Sequence, residues 1–186
     1  MSKSNDAATH NSRTNAHKAV LRLVTTAMLA AMSVIIGMLC KNFLNFGNGL
    51  FRITFENLPI ILAGIFLGPM AGGLVGVVSD LTSYLLSPQT YPPNLIVTLG
   101  ACVVGVVSGL MAKYTVRRRG YKQIILSGAA AHVLGSMIIK SLGLYQFYGA
   151  AVLVRIPLYL VISSLELSLL CLLWKQSYFR RLLEKL

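Results

Sequence analysis

The sequence predicts an all-α integral membrane protein built from six transmembrane helices. Three observations predict it. Of the 186 residues, 55% are hydrophobic and only 12% charged, far from the balance of a soluble domain. Long charge-free runs recur at the length needed to cross the roughly 30 Å hydrocarbon core of a bilayer. Most of the seventeen Lys and Arg residues fall into three clusters: Lys3, Arg13, Lys18 and Arg22; Lys113, Arg117, Arg118, Arg119 and Lys122; Lys175, Arg180, Arg181 and Lys185. Six spans place all three clusters on one side of the membrane, the cytosolic side by the positive-inside rule. The same spread of basic residues argues against one nucleic-acid-binding face, despite a net charge of +12.

Taken in order, residues 1–20 are polar and rich in Ser, Asn, Thr and Ala, which reads as a disordered cytosolic tail rather than a secretory signal. The membrane domain is 21–176, and a basic cytosolic tail follows at 177–186. The first span is the charge-free run Leu23 to Cys40. Asn57 to Ser79 and Leu81 to Ala112 are the next two apolar runs, and each is interrupted. Gly68 and Pro69 break the first; Ser87, Pro88, Pro92 and Pro93 break the second. The expected helices are therefore Leu58 to Leu67, Pro69 to Leu86 and Asn94 to Tyr114. The Leu58 to Leu67 piece rises only about 15 Å, too short to span alone. Fusing it to its successor would put Arg117 to Arg119 on the opposite side from the tails, so a tight turn at Gly68 is expected instead. Gln123 to about Gln146 and Ala150 to Trp174 complete the set.

Small residues recur at four-residue spacing, as at Gly68, Gly72 and Gly76 and at Ala101, Gly105 and Gly109, a pattern that lets membrane helices approach closely. The same spacing at Ala27 and Ala31 falls on the first helix, a position from which a partner is accessible. Cys40, Cys102 and Cys171 are scattered through apolar runs without metal-ligand spacing. No serine elbow, His-Glu-x-x-His or phosphate-cradling loop is present, so an enzyme is not indicated and no cofactor is expected.

Charges inside spans are costly and point to function. Arg52, Glu56 and Asp80 are the only charges between Lys41 and Lys113, and Arg52 and Glu56 sit in the stretch NFLNFGNGLFRITFENLP, which reads as a loop over a site. Lys140 and Arg155 occupy the same half of the membrane, with Tyr84, Tyr91, Asn94 and Tyr159 nearby. Acids, cations, amides and aromatics at one depth suit a flat aromatic ligand that carries both donors and acids. Glu166 lies deeper, on the face of Arg155, Tyr159 and Ser163, and is expected in a buried pair. His132, on a small-residue face, is expected to be a packing histidine.

The six-helix length, the AMLAA motif from Ala27 to Ala31, and the runs FRITFENLPIILAGIFLGPMAGGLVGVVSDL and YPPNLIVTLGACVVGVVSGL resemble the substrate-binding S components of energy-coupling factor (ECF) vitamin transporters, most of all the folate-specific ones. The likeness covers roughly Val20 to Trp174. It implies a vitamin pocket on the outer side capped by Asn42 to Asn57, a membrane coupling subunit that grips Ala27 and Ala31, and two cytosolic ATPases. For folate, the chemistry of a pterin edge favours Asp80 as acceptor, with Glu56 second, and the glutamate tail calls for Arg52, Lys140 or Arg155. Tyr84, Tyr91 and Tyr159 are candidates for stacking or hydrogen bonding. Another vitamin, such as riboflavin or a thiamin precursor, is the alternative ligand. A non-transport membrane assembly subunit is the alternative role; it would leave Asp80, Lys140 and Arg155 paired with one another.

Overall fold

A computed structural model describes residues 2–46, 51–86, 94–114 and 120–176, with side chains from residue 15 onward except at 45, 46, 51, 52 and 154. Helix α1 runs Ser2–Phe43. Its backbone extends into the polar stretch that composition reads as a disordered tail, and its apolar span lies within Asn15–Phe43. A two-residue antiparallel ladder follows, β1 (Asn45–Phe46) on β2 (Phe51–Arg52), in register Asn45 with Arg52 and Phe46 with Phe51. Next come α2 (Asn57–Leu67), α3 (Pro69–Leu86) and α4 (Leu95–Tyr114). One continuous rod then passes from α5 (Tyr121–Ala131) through a π-helical stretch (His132–Ile139) into α6 (Lys140–Tyr148). A 3₁₀ turn (Gly149–Val154) leads into α7 (Arg155–Lys175).

Among the described residues five of these helical segments are long and apolar enough to cross a membrane, and α2 is a shorter sixth. Helix α2 is short for the reason the sequence suggests. Gly68 adopts φ +101°, a conformation that disfavours a side chain, and Pro69 opens α3 at the position where its missing N–H costs nothing. An 11-residue helix rises only about 16 Å. Its residues Asn57 to Gly64 are all buried, packed among α1, α3 and α4. Helix α2 is thus the short sixth helix of the bundle, enclosed by its neighbours rather than facing lipid.

The core follows from that placement. Ile60, Ile61 and Ala63 of α2 join Val75, Val104, Ala131 and Leu170, all almost fully buried. At the end of α2, Phe66 stacks on Trp174, with ring centroids 5.8 Å apart and planes at 14°. The outside is the reverse of a soluble protein: Leu23, Met28, Met70, Leu85, Leu95 and Leu142 are exposed, as lipid contact requires.

Helices α3 and α4 make the most extensive contact in the molecule. A side chain at Gly105 would run into the carbonyl of Gly72, and one at Gly76 into the carbonyl of Ala101. The glycine rows in the sequence are therefore the seam of α3 on α4. Gly105→Ala is expected to cost about 1–3 kcal/mol, because backbone has to move to admit even a methyl group. The check is the apparent melting temperature of the purified protein, expected to fall by several degrees; an unchanged value would mean that the seam is looser than described.

Candidate functional site

The ends of the helices sort by charge. Lys113, Lys122 and Lys175 lie at one end of the bundle, at the end of α4, the start of α5 and the end of α7. At the opposite end, α2, α3, α4, α6 and α7 converge on a small cavity of about 40 Å³. Thr54, Glu56 and Asn57 form one wall, Asp80 and Val97 another, and His132, Lys140 and Leu144 a third. Arg155, Tyr159 and Ile162 of α7 close it.

Each polar group has a definite setting. Lys140, only 6% exposed, reaches from α6 to Glu56 Oε1 at 3.3 Å and donates to Asn57 Oδ1 at 3.2 Å. Asn57 Nδ2 in turn donates to Ser136 Oγ at 3.4 Å. The π-helical stretch delivers Lys140 to this position. The Lys140 N–H bonds the carbonyl of Gly135, one residue further back than in an α-helix, and the wider turn changes which side chains beyond it face inward. The backbone carbonyl of Glu56 accepts from the buried hydroxyl of Ser33 on α1 at 2.7 Å, so α1 fixes the segment that enters α2.

Across the cavity, Thr98 of α4 donates to Asp80 Oδ2 at 2.7 Å. This orients the carboxylate and leaves Oδ1 without a partner among the described residues. The Arg155 guanidinium lies over the Tyr159 ring, 5.8 Å from its centroid. Arg155 is 4% exposed, and its Nε and Nη1 are buried with no hydrogen-bond acceptor among the described residues. A buried cation in that state is costly unless an anion is supplied. His132 Nε2 lies 2.8 Å from Glu166 Oε2, and both side chains are buried.

Of the residues singled out from the sequence, Glu56, Asp80, Lys140, Arg155 and Tyr159 line this one cavity. Tyr84 and Asn94 do not line it. Asn94 starts α4: its Oδ1 accepts from the Ile96 N–H at 2.9 Å and its Nδ2 donates to the Gly143 carbonyl at 2.6 Å, which ties α4 to α6. The Arg52 side chain and all of Tyr91 lie outside the described residues. Thr54, Asn57 and His132 were not expected at the site. Asn57 directly follows Glu56 in the covering loop, and His132 begins a four-residue row with Ser136 and Lys140; those were the available signals. Lys140 pairs with Glu56 rather than with Asp80 or Arg155, so the mutual pairing expected of a purely structural subunit is not what the cavity contains.

This bundle and this polar end belong to a known class of protein. A family model described as the substrate-specific component of ECF transporters matches residues 21–181. The chain belongs to that family and is a multi-pass membrane protein. Among individual relatives, the folate transporter FolT of Clostridium novyi (strain NT) is 25% identical over 133 residues, covering 71% of this chain and 75% of the relative. Two solved structures share the fold. A crystal structure of FolT bound with folic acid superposes with a TM-score of 0.59 at 23% identity, covering 81% of this chain and 87% of that one. The S component of a bacterial ECF transporter superposes at 0.58 and 22% identity, covering 83% and 93%.

Proposed function

We propose that this S component binds folate at the cavity between α2, α3, α6 and α7, facing the outside, and passes it inward. A membrane coupling subunit and two cytosolic ATPases supply the energy, and both termini of the chain are cytosolic. One observation carries the choice of ligand: a carboxylate with an available oxygen, Asp80, and a buried guanidinium without an acceptor, Arg155, line one cavity. A pterin edge offers adjacent donors to a carboxylate, and the glutamate tail of folate offers a carboxylate to a guanidinium. The likeness to a folate transporter supports the same reading. Lys140 is already held by Glu56 and Asn57, which favours Arg155 over it as the anchor for the tail.

A space of about 40 Å³ holds little more than a water molecule. Folate entry therefore requires the walls to part, and the loop entering α2 at Thr54 to Asn57 is the element placed to do so. Equilibrium titration of the purified protein with folate, a tail-less pterin, riboflavin and thiamin tests the proposal. Folate is expected to bind tightest and the bare pterin more weakly; tighter binding of riboflavin or thiamin would reject folate as the ligand.

The partner face is argued from α1. Ala27 and Ala31 are exposed, as are Leu23, Val24, Met28 and Ile35 around them, while Ala30, Ser33 and Val34 point into the bundle. Small residues on an otherwise bulky, unpacked face let a second membrane helix come close. The double change Ala27→Val and Ala31→Val is expected to lower uptake by about tenfold, the effect of an interface overpacked by 1–2 kcal/mol. Folate affinity of the isolated subunit should not change. Equal loss of uptake and binding would make the pair a folding element instead.

A further inference from the structure

A groove of about 650 Å³ runs between α5 and α7 and shares no lining residue with the cavity just described. Ile125 of α5 and Leu167, Cys171 and Leu172 of α7 form its walls. The helices touch where Leu167 fills the space over Gly128, and the lining residues of α5 lie beyond that contact, toward the basic end. Two serines in the groove add no unmet polarity. Ser164 Oγ donates to the Leu160 carbonyl at 2.9 Å and Ser168 Oγ to the Ser164 carbonyl at 2.8 Å, so both hydroxyls are satisfied within α7. From Ser164 to Lys175 the groove extends about 16 Å, roughly half of a 30 Å hydrocarbon core and hence the depth of one leaflet.

Its far end is cationic. Lys175 lines the groove in the last turn of α7, and Tyr121 lines it in the first turn of α5, followed by exposed Lys122. Neither lysine has a carboxylate partner among the described residues. An apolar slot one leaflet deep, ending in an amphipathic tyrosine and two lysines, matches an acyl chain below an anionic headgroup. Helix α1, which carries Ala27 and Ala31, makes its main contacts with α2 and α3, whereas α5 packs on α4 and α7. The groove is thus on a different side of the bundle from the alanine face. The geometry points to a site for an anionic phospholipid, with its chain along Leu167 to Leu172 and its phosphate at Lys175 and Tyr121.

The chain's one tryptophan provides the readout. Trp174 precedes Lys175, lies one turn beyond Cys171, and is only 7% exposed, so lipid that merely surrounds the protein makes little contact with it. The experiment reconstitutes the full chain in phosphatidylcholine vesicles containing either phosphatidylglycerol or phosphatidylcholine with brominated acyl chains, and follows quenching of Trp174. Brominated phosphatidylglycerol is expected to compete about fivefold better than brominated phosphatidylcholine, the preference one interfacial lysine confers. That preference should fall to near unity in Lys175→Gln, an exposed change that leaves the core intact, and in Ser168→Phe, which fills the groove without altering charge. Equal quenching by the two lipids in the unaltered protein would overturn the proposal. So would a preference that survives Lys175→Gln, or one that survives Ser168→Phe, because the basic edge alone would then account for it. Loss of uptake in Ser168→Phe with unchanged quenching would assign the groove to a protein partner, and would also overturn it.

Discussion

Arg155→Ala is expected to weaken folate binding by roughly thirtyfold to a thousandfold while leaving the ligand-free protein at least as stable as before. The first half of this expectation rests on the anchor role. A guanidinium buried to 4% exposure, with Nε and Nη1 lacking acceptors among the described residues, has unmet donors to offer a carboxylate. Removing one partner of such a desolvated pair costs about 2–4 kcal/mol. The second half separates function from architecture. Without ligand, the buried charge is compensated among the described residues only by the Tyr159 ring, so its removal relieves a desolvation cost. A structural arginine would behave in the opposite way, lowering the melting temperature with affinity unchanged. Titration of the variant with folate and with a tail-less pterin, beside its thermal unfolding without ligand, decides between these. The bare pterin should bind variant and unaltered protein alike, because Arg155 is assigned to the tail. Loss of both ligands in equal measure would move Arg155 to the pterin or to the cavity wall.

How legible all this was depended on whether a feature is local. Spans were legible because hydrocarbon tolerates few charges, and the boundaries expected at Leu67, Pro69, Leu86 and Tyr114 are those of α2, α3 and α4. The break at Gly68 was legible because glycine followed by proline has a local conformational meaning, which the φ of +101° bears out. The π-helical stretch was not legible, since one extra backbone residue per turn leaves no mark in the composition of HVLGSMII. Pairings between distant helices were equally hidden. Glu166 was expected in a buried pair and His132 to be a packing residue, yet nothing in either segment says that the two lie against each other. Asn57 with Ser136 and Ser33 with Glu56 are further links of this kind. Depth in the membrane selected Glu56, Asp80, Lys140, Arg155 and Tyr159 for a common region. Depth does not fix direction around a helix axis, and it is coarse by about a turn, which is why Tyr84, about 6 Å further along α3 than Asp80, was grouped with them.

Direction is also what makes Asp80 a sharper case than its charge alone. Thr98 donates to Oδ2, and the hydroxyl's other neighbour, the Asn94 carbonyl, is at 3.5 Å, so its proton belongs to the carboxylate. In Asp80→Asn the side-chain carbonyl keeps the bond to Thr98, and the amino group takes the place of Oδ1. A pterin donor would then meet a donor. The loss of one charge-assisted bond and the mismatch together are expected to cost about 2–4 kcal/mol, or thirtyfold to a thousandfold in affinity. Because this change acts at the pterin, folate and the tail-less pterin should lose affinity by similar factors, the reverse of the pattern expected for Arg155→Ala. Thr98→Val tests the orientation separately. It leaves the charge but frees the carboxylate to rotate, and should weaken both ligands by only a few-fold, about 1 kcal/mol. Unaltered folate affinity in a folded Asp80→Asn protein would remove Asp80 from the site. The acceptor role would then pass to Glu56, whose release from Lys140 would have to accompany binding.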